Sequence, residues 1–385
     1  MYLHEFQAKN LLKSKNILIP KSFLITCKEQ GNEIINAIPS NKIVLKAQVH
    51  SGARGKFGGI KIINKNINEI NSEITQMINK KLVTNQTGAE GKIIKYILAE
   101  EFIEIENEIY VSFYIDRTIE STILTISKFG GINIENNNQS TFLILKIDLD
   151  YGIYDYHIRN IIFYLKLEII YFEKIKNLIT NLFNIFKEKN LMLLEINPLI
   201  KYENNFYCLD AKMEVDDNSI YKNKDIFDQY DYSQDTETEI KAKFLNLSYI
   251  SLDGNIGCIV NGAGLAMATL DLLKLNNLNP ANFLDIGGNA TEETIKNAFK
   301  IIKLEKNIKG IFINIFGGIV QCDLIANAIL EEIKNSKNNI PIIIRLAGNK
   351  SHEGINIIKK SHLNIIAETD LTTSIKIIKD VLRGK

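Results

Sequence analysis

The chain has 385 residues, of which 45% are hydrophobic and 24% are charged, and its formal net charge is +1. This length favours two domains, and the composition is that of an ordinary globular protein. The balance of 46 basic against 45 acidic residues argues against nucleic acid or an anionic membrane surface as the main partner.

The amino-terminal residues and the cysteines indicate a cytoplasmic protein. The sequence begins Met-Tyr-Leu-His-Glu-Phe, with an acidic residue at position five and no apolar core of a signal peptide. No apolar run reaches the length that spans a membrane. The four cysteines lie far apart without a C-x-x-C pair, so we expect reduced thiols and neither a zinc site nor disulfides.

The first half of the chain predicts an α+β domain. Apolar residues with helical spacing predict amphipathic helices around residues 67–78 and 175–186. Strand-like runs cover residues 43–46, 60–63, 96–100, 109–115 and 122–126. The polar stretch at 216–239 is predicted to be a linker, and the Asn-rich segment 133–140 a surface loop.

A glycine-rich flap from Lys46 to Gly59 connects two of these strands. Glycine lets backbone N–H groups point at phosphate oxygens, while Arg54 and Lys56 supply positive charge. Lys46, on the strand that enters the flap, is placed to reach the phosphates of a nucleotide beneath it. A mobile hairpin with solvated charges is the alternative, and the glycine pattern alone does not separate the two.

Glu195, Asn197 and Asp210 are three oxygen-bearing side chains on a predicted hairpin. A two-residue turn at 204–205 would pair Leu199 with Asp210. Asn197 and Asp210 would then be diagonal neighbours about 7–8 Å apart, with Glu195 further along the same face. Magnesium binds few protein oxygens and completes its shell with phosphate and water, so the set suits Mg²⁺. The alternative is the polar outer face of an ordinary hairpin.

Acidic residues flank a short connector, residues 102–107, in the first half. Glu100 and Glu101 precede this connector and Glu108 follows it. A carboxylate at a strand end beside a hinge is able to hold nucleotide hydroxyls, although most acidic connectors are simply solvated.

The second half predicts a parallel sheet with helices on both faces. Five strand–helix units follow one another in about 135 residues, and their strands are apolar on both sides. The strands are predicted at residues 255–260, 283–285, 309–316, 341–346 and 363–367. This alternation is typical of a flavodoxin-like or Rossmann-like domain.

Glycine turns at the predicted strand ends of the second half indicate a ligand site. Residues 318–320 are predicted to open a helix, whose free N–H groups and dipole favour an anion or an acyl phosphate. A dinucleotide site is the alternative, because Gly262-x-Gly264 is followed by Asp285 about twenty residues later. That match is incomplete, since Met267 occupies the third glycine position.

The five histidines give no nucleophile or metal site. None lies in a glycine-rich turn of the second half, and no pair has metal-ligand spacing. We therefore expect that this chain does not supply a catalytic histidine.

The collinear motifs resemble the β-subunit family of succinyl-CoA synthetases, over the whole chain. The matching segments are residues 3–9, 48–56, 195–199, 252–267 and 314–320. The resemblance implies an ATP-grasp domain over 1–238 and a flavodoxin-like CoA-ligase domain over 239–385. It also implies an α subunit, in an αβ or α2β2 assembly, which carries the CoA site and a phosphorylated histidine.

The resemblance also implies roles for individual residues. The nucleotide contacts would be Lys46, Ala53, Arg54, Gly55, Glu100, Ile103 and Glu108. The magnesium ligands would be Asn197 and Asp210, and Glu195 would help to position the α subunit's histidine near the phosphate. The contacts to substrate and phosphate, shared with the α subunit, would be Asn261, Gly318, Ile319 and Val320.

The implied reaction belongs to the tricarboxylic acid cycle. Succinate, CoA and ATP or GTP would form succinyl-CoA, nucleoside diphosphate and phosphate, through acyl phosphate and phosphohistidine. Ile103 occupies a position where a small side chain with a hydroxyl group would suit a nucleotide contact better. Only the backbone of Ile103 is therefore expected to contact the nucleotide. A malate–CoA ligase subunit, an NAD-dependent oxidoreductase and a non-catalytic nucleotide-binding scaffold remain as alternatives.

Overall fold

The structure is a computed structural model that describes residues 1–84, 86–87, 91–131, 142–305, 307–334, 340–361 and 363–382. The chain divides into two compact units, Met1–Gln234 and Asp235–Lys385. The described helices include none that is long and apolar enough to cross a membrane. The predicted loop at 133–140 and one of the five histidines, His362, lie outside the described residues.

The first unit contains two antiparallel sheets, a short hairpin and six α-helices in its described part. Its helices are α1 (Glu5–Ser14), α2 (Gly31–Ala37), α3 (Ile67–Met77), α4 (Asp155–Leu165), α5 (Phe172–Glu188) and α6 (Lys224–Phe227). Its first strands are β1 (Ser22–Ile25), β2 (Lys42–Gln48), β3 (Ile60–Asn64), β4 (Lys81–Leu82), β5 (Lys92–Ile93) and β6 (Tyr96–Glu101). The others are β7 (Glu108–Asp116), β8 (Ser121–Ser127), β9 (Phe142–Ile147), β10 (Leu191–Tyr202), β11 (Asn205–Cys208) and β12 (Ala211–Val215).

Each sheet of the first unit has its own core. The first sheet has the strand order β1-β6-β2-β3, and helices α2 and α3 pack on it through Ile34, Ile70 and Ile74. The second sheet has the order β11-β10-β7-β8-β9, with β12 also paired to β10, and it packs against α4 and α5. The predicted helices at 67–78 and 175–186 are thus confirmed as α3 and α5.

Helix α1 connects the two sheets. Its Ala8 and Leu12 are fully buried in the core of the second sheet. Its Glu5 and Lys9 are also buried, and they contact Lys46 and Glu100 of the first sheet. One short helix therefore holds charged side chains between the two sheets, which is where the candidate site forms.

The predicted linker at 216–239 is wrong for most of its length. Residues up to Gln234 pack on the first unit, and Asn223, Ile226 and Asp231 are buried there. Asp231 accepts a hydrogen bond from His4 at 2.9 Å, if Nε2 carries the proton. Polar composition did not indicate solvent exposure here, because the buried polar groups have partners within the fold.

The second unit contains a six-stranded sheet covered by helices on both faces. Its strands are β13 (Ser248–Ser251), β14 (Ile256–Val260), β15 (Asn282–Asp285), β16 (Gly310–Gly317), β17 (Ile342–Gly348) and β18 (Ile365–Glu368). Its helices are α7 (Glu237–Phe244), α8 (Ala263–Leu275), α9 (Glu292–Ile302), α10 (Cys322–Lys334), α11 (Ser351–Lys360) and α12 (Leu371–Leu382). The strand order is β13-β15-β14-β16-β17-β18.

The parallel sheet predicted for the second half is confirmed. Strands β14 to β18 run parallel, with α9, α10 and α11 packed on one face and α8 and α12 on the other. The edge strand β13 pairs antiparallel with β15 and was not predicted. It spans four half-buried or exposed residues, so it lacks the apolar run that marked the other strands.

Candidate functional site

Six charged side chains meet between the two sheets of the first unit, and we call them the charged cluster. They are Glu5, Lys9, Lys46, Arg54, Glu100 and Asp210. Three of them are acidic and three are basic, so the cluster is neutral when every member is ionised. Five are nearly inaccessible, and only the Asp210 side chain is 30% exposed.

Lys46 lies at the centre of the charged cluster. Its Nζ is 2.8 Å from Oε1 of Glu5, 2.8 Å from Oε2 of Glu100, and 2.5 Å from the carbonyl oxygen of Leu209. Burial lowers the pKa of Lys46, but the charges of Glu100 and Glu5 outweigh burial and raise it above its usual value. Lys46 therefore stays a cation in the absence of any ligand.

Arg54 joins the flap to the rest of the cluster. Its Nη2 donates to Oε2 of Glu5 at 2.7 Å and to Oδ2 of Asp210 at 2.8 Å, and its Nη1 donates to the carbonyl of Ala47 at 2.9 Å. The sequence suggested a flap arginine facing phosphate, whereas the structure buries the guanidinium among carboxylates. The guanidinium reaches these three acceptors with two of its nitrogens.

Glu5 and Lys9 were missed as site residues. They lie four residues apart on α1, and the Lys9 Nζ is 2.9 Å from Glu5 Oε1 and 2.6 Å from the Leu209 carbonyl oxygen. Burial raises the pKa of Glu5, yet Lys46, Lys9 and Arg54 together hold it well below the usual value. The available signal was this i, i+4 pair on the same side of the helix as the buried Leu12.

Glu100 is enclosed within the cluster. Its carboxylate accepts from Lys9 at 2.5 Å and lies 2.8 Å from Lys46, and the residue is 1% exposed. The predicted connector 102–107 is confirmed between β6 and β7, and Ile103 is half-buried in it. The Glu100 carboxylate is therefore occupied by cations and does not lie open beside the connector.

The flap presents its backbone as well as its charges. Ala53 adopts the left-handed conformation at φ 54°, and a 3₁₀ turn follows at Arg54–Phe57. In the described part of the chain, the N–H groups of Ala53, Arg54 and Gly55 have no hydrogen-bond acceptor. A left-handed residue followed by a right-handed one turns successive N–H groups to the same side, which is a geometry that binds anions.

Asn197 and Asp210 face each other directly, and the predicted register was wrong by two residues. The turn lies at 203–204, because Glu203 takes the left-handed conformation and Tyr202 pairs with Asn205. Leu199 consequently pairs with Cys208, and not with Asp210. The N–H of Asn197 lies 3.3 Å from the Asp210 carbonyl oxygen.

The Asn197 side chain is held by the neighbouring backbone. Its Oδ1 accepts from the N–H of Gly131 at 2.5 Å, and its Nδ2 donates to the Gly131 carbonyl at 3.3 Å. The preceding Gly130 donates to the carbonyl of Glu108 at 2.8 Å, which places Glu108 beside Asn197. Glu195 lies on the same face of β10 and accepts a 3.3 Å hydrogen bond from Tyr110.

The oxygens of Asn197 and Asp210 suit a small, hard cation. Among the residues described, no group of three or more His, Cys, Asp and Glu side chains is arranged to hold a metal ion. A transition-metal cage of such residues is therefore absent from this part of the chain. Two facing oxygen donors beside a cationic flap match Mg²⁺ with phosphate, which needs few protein ligands.

In the second unit, two candidate polar residues tie the strand ends together. The Asn261 carboxamide donates to the Phe316 carbonyl at 2.9 Å and accepts from the Phe316 N–H at 2.7 Å. Oδ1 of Asp285 accepts from Gly262 at 2.6 Å and from Gly287 at 2.8 Å. Asp285 therefore caps two turns, and this use argues against a ribose-binding acid in a dinucleotide site.

Residues 318–320 do not open a helix, contrary to the prediction. Helix α10 begins at Cys322, whose N–H donates to the Asn349 carbonyl at 3.1 Å. The three residues form the bend between β16 and α10, in which Ile319 is 87% exposed and Val320 is buried. A Cβ placed on Gly318 would meet no atom within 4 Å, so the backbone there is open.

Comparison with known proteins identifies the family. An ATP-grasp domain model matches residues 2–201, and a CoA-ligase model matches residues 259–378. The β subunit of succinate–CoA ligase [ADP-forming] from Alkaliphilus oremlandii is 43% identical over the whole of both chains. The Wolbachia sp. subsp. Brugia malayi protein of the same name is 41% identical, over 99% of this chain and all of its own. The chain belongs to the succinate–CoA ligase β-subunit family.

The expected fold of a succinate–CoA ligase β subunit is thereby confirmed. An ATP-grasp domain precedes a CoA-ligase domain with a parallel sheet. The ATP citrate lyase of Methanothrix soehngenii, solved with citrate and coenzyme A, has a TM-score of 0.73 and covers 100% of this chain and 99% of its own. At 17% identity, that likeness shows the fold alone.

Of the described histidines of this β-subunit family member, three pack within the first unit and one lies at the surface. His4 contacts Asp231, and Nδ1 of His157 accepts from the N–H of Tyr154 at 3.0 Å. His50 is packed against His4, with ring centroids 4.5 Å apart. His352 is exposed in the first turn of α11.

Proposed function

We propose that this chain is the nucleotide- and Mg²⁺-binding subunit of a bacterial, cytoplasmic succinate–CoA ligase of the tricarboxylic acid cycle. With an α subunit, in an αβ or α2β2 assembly, it would convert succinate, CoA and ATP or GTP to succinyl-CoA, nucleoside diphosphate and phosphate. The observation that carries the proposal is the charged cluster, in which Arg54 of the flap meets Asp210, and Asp210 lies directly opposite Asn197. The proposed domains are 1–238 and 239–385.

The flap supplies the phosphate contacts in this proposal. The free N–H groups of residues 53–55 bind phosphate oxygens, while Lys46 and Arg54 add positive charge. The ion pair with Glu100 holds the Lys46 side chain in position. Ile103 offers only its backbone to the base, and Glu108 stands at the mouth of the site beside Asn197.

Asn197 and Asp210 would hold Mg²⁺. When bound, the cation neutralises phosphate charge and orients the terminal phosphoryl group for transfer. Asp210 supplies a carboxylate that is partly exposed, and Asn197 supplies a carboxamide oxygen fixed by Gly131. Glu195, bonded to Tyr110, lies two residues from Asn197 on the same face and would position the histidine of the α subunit near this phosphate.

The exposed strand ends of the second unit would be covered by the α subunit. Phe316, Ile319 and Leu324 are 54%, 87% and 63% exposed around the β16–α10 bend. Gly288 and Gly318 have open space where a side chain would stand, so another chain is able to approach the backbone closely. Asn261 and residues 318–320 would contact substrate and phosphate at this shared surface. The apolar side chains give a partner subunit area to bury.

The direct test is to co-express this chain with its α subunit and to assay the purified pair. We expect succinyl-CoA to form only when succinate, CoA, Mg²⁺ and nucleoside triphosphate are all present. Parallel assays with malate and with GTP identify the acid and the nucleotide. Nucleotide binding without any acid-dependent turnover would favour the scaffold interpretation, and nicotinamide binding would favour an oxidoreductase.

A further inference from the structure

One of the two proposed metal ligands, Asp210, is paired with a cation of the protein. Oδ2 of Asp210 lies 2.8 Å from Arg54 Nη2, the same nitrogen that lies 2.7 Å from Glu5. Glu5 is 2% exposed, whereas Asp210 is 30% exposed. Arg54 therefore has two buried acceptors, Glu5 and the Ala47 carbonyl, and one partly exposed acceptor, Asp210.

We propose that Arg54 is a latch on Asp210, which competes with the metal until a phosphate of the nucleotide engages the guanidinium. The proposal rests on the metal and nucleotide sites of the proposed function. It makes the binding of Mg²⁺ and of nucleotide mutually dependent: each ligand removes an obstacle to the other. A guanidinium beside Asp210 both occupies one carboxylate oxygen and repels a dication.

The charge balance of the cluster supports this dependence. Three acids and three bases leave no net charge for a bare Mg²⁺ to neutralise, so the metal alone would place two uncompensated positive charges among nearly inaccessible groups. A triphosphate brings negative charge with the metal. Phosphate is also the anion that a guanidinium binds in a bidentate manner, so it is able to draw Arg54 from Asp210.

Glu5 allows the latch to open without leaving a buried charge unpaired. When Arg54 turns to a phosphate, Glu5 retains Lys9 at 2.9 Å and Lys46 at 2.8 Å. Asp210 has no second cation within ion-pair distance in the described residues, so its carboxylate is released to the metal. The partner that is lost is thus the one the metal replaces.

A different role for Arg54 makes the opposite prediction. If Arg54 stays on Oδ2 and orients Asp210 so that Oδ1 binds the metal, it is a supporting residue, and its removal weakens metal affinity. The sign of the change in metal affinity without nucleotide therefore separates the two roles.

The test measures the affinity of the full chain for Mn²⁺ in the absence of nucleotide. Electron paramagnetic resonance monitors the binding. For a latch, Arg54→Gln binds Mn²⁺ about tenfold more tightly than the parent, a coupling of the size common between linked sites. Lys61→Gln, which removes an exposed cation from β3, is the control and should leave the affinity close to that of the parent. Equal or weaker binding by Arg54→Gln overturns the latch.

Two further variants keep the result interpretable. Arg54→Lys preserves the charge, and should bind Mn²⁺ with an affinity between those of the parent and Arg54→Gln, because the shorter lysine side chain reaches Asp210 less well. If Arg54→Gln does not fold, binding by Arg54→Lys that is no tighter than the parent overturns the latch. Asp210→Asn in the Arg54→Gln background should abolish the gain. If Mn²⁺ binding depends on Asp210 but is unchanged by substitution of Arg54, only the latch is overturned. If Mn²⁺ binding does not depend on Asp210, the proposed metal site is overturned as well.

Discussion

The ammonium group of Lys9 lies 2.5 Å from Oε1 of Glu100, and both side chains are 2% exposed. Lys9 also contacts Glu5 and the carbonyl of Leu209, so a single side chain links α1 to both sheets of the first unit. The sequence does not indicate that these two residues form a pair, because 91 positions separate them. The contact indicates that the charged cluster supports the fold as well as the site.

Removing the buried ammonium should destabilise the first unit. Lys9→Met leaves Glu5 and Glu100 with fewer cations inside the protein, and breaking a buried pair costs about 3–5 kcal/mol. Lys13→Met, on an exposed position of the same helix, is the control. Urea unfolding followed by circular dichroism measures the difference, since the chain has no Trp to report by fluorescence. Equal losses in the two variants would show that the cluster does not stabilise the fold.

Asp210→Asn should lower turnover strongly and leave the fold nearly intact. The substitution removes a charged oxygen from the proposed Mg²⁺ ligands while keeping the shape of the side chain. The assay with the α subunit is run at limiting Mg²⁺, where the loss should be largest. Asp228→Asn, at an exposed position, is the control. Parental activity in Asp210→Asn at limiting Mg²⁺ would falsify the metal assignment.

Ile319→Asp should prevent assembly with the α subunit. Ile319 is 87% exposed on the bend before α10, and a charge there would be desolvated on contact with a partner. Leu275→Asp is the matched control. Leu275 is 79% exposed at the carboxyl-terminal end of α8, whereas Ile319 follows the carboxyl end of strand β16. Size-exclusion chromatography of the co-expressed chains measures the fraction assembled. If both variants co-elute with the α subunit as the parent does, the proposed interface lies elsewhere.

The chain alone should bind nucleotide without becoming phosphorylated. Incubation with labelled ATP is expected to leave it free of acid-labile phosphate, and addition of the α subunit should place all the label on that partner. His352 provides the sharpest check, because it is an exposed histidine in the first turn of α11, the helix that follows β17, and β17 lies beside β16. Label on His352 of the isolated chain would overturn this division of labour.

Stability should fall as the pH is lowered from 6.5 toward 3. Burial, and then the neighbouring His4, lower the pKa of His50 from 6.5 to about 3, with Lys92 acting in the same sense and Asp231 opposing. In this window the unfolded chain binds a proton at His50 that the folded chain does not bind. The stability lost is therefore at most about 1.4 kcal/mol per pH unit.

Melting temperatures measured between pH 7.5 and pH 5 test the role of His50. His50→Phe should show a shallower decline than the parent, because the phenyl ring cannot take up the proton. His352→Gln, which changes an exposed histidine, should follow the parent. Parallel curves for all three proteins would assign the acid sensitivity to other groups.

The sequence predicted the architecture better than the side-chain geometry. Strands β14, β16 and β17 were predicted because each is largely buried on both faces and reads as an apolar run. Helix α5 was predicted because its buried stripe repeats every three or four residues. These signals are local, so one chain segment at a time was enough to identify them.

The site escaped prediction where it depends on contacts between distant segments. Arg54 could be assigned to the flap, but nothing local showed that Glu5 and Asp210 would share its Nη2. The hairpin register failed for a similar reason. The choice of turn between 203–204 and 204–205 depends on the backbone of Glu203, which takes a conformation that its side chain does not favour.

The span of the charged cluster has a consequence for synthesis on the ribosome. Lys9 and Lys46 both donate to the carbonyl of Leu209, across 200 and 163 positions. Until Leu209 has left the exit tunnel, Lys9 and Glu5 of α1, which are buried in the finished fold, lack part of their set of partners. A nascent chain stalled before β12 should thus keep α1 loosely attached and protease-sensitive, and the charged cluster should close only when the last strands of the unit emerge.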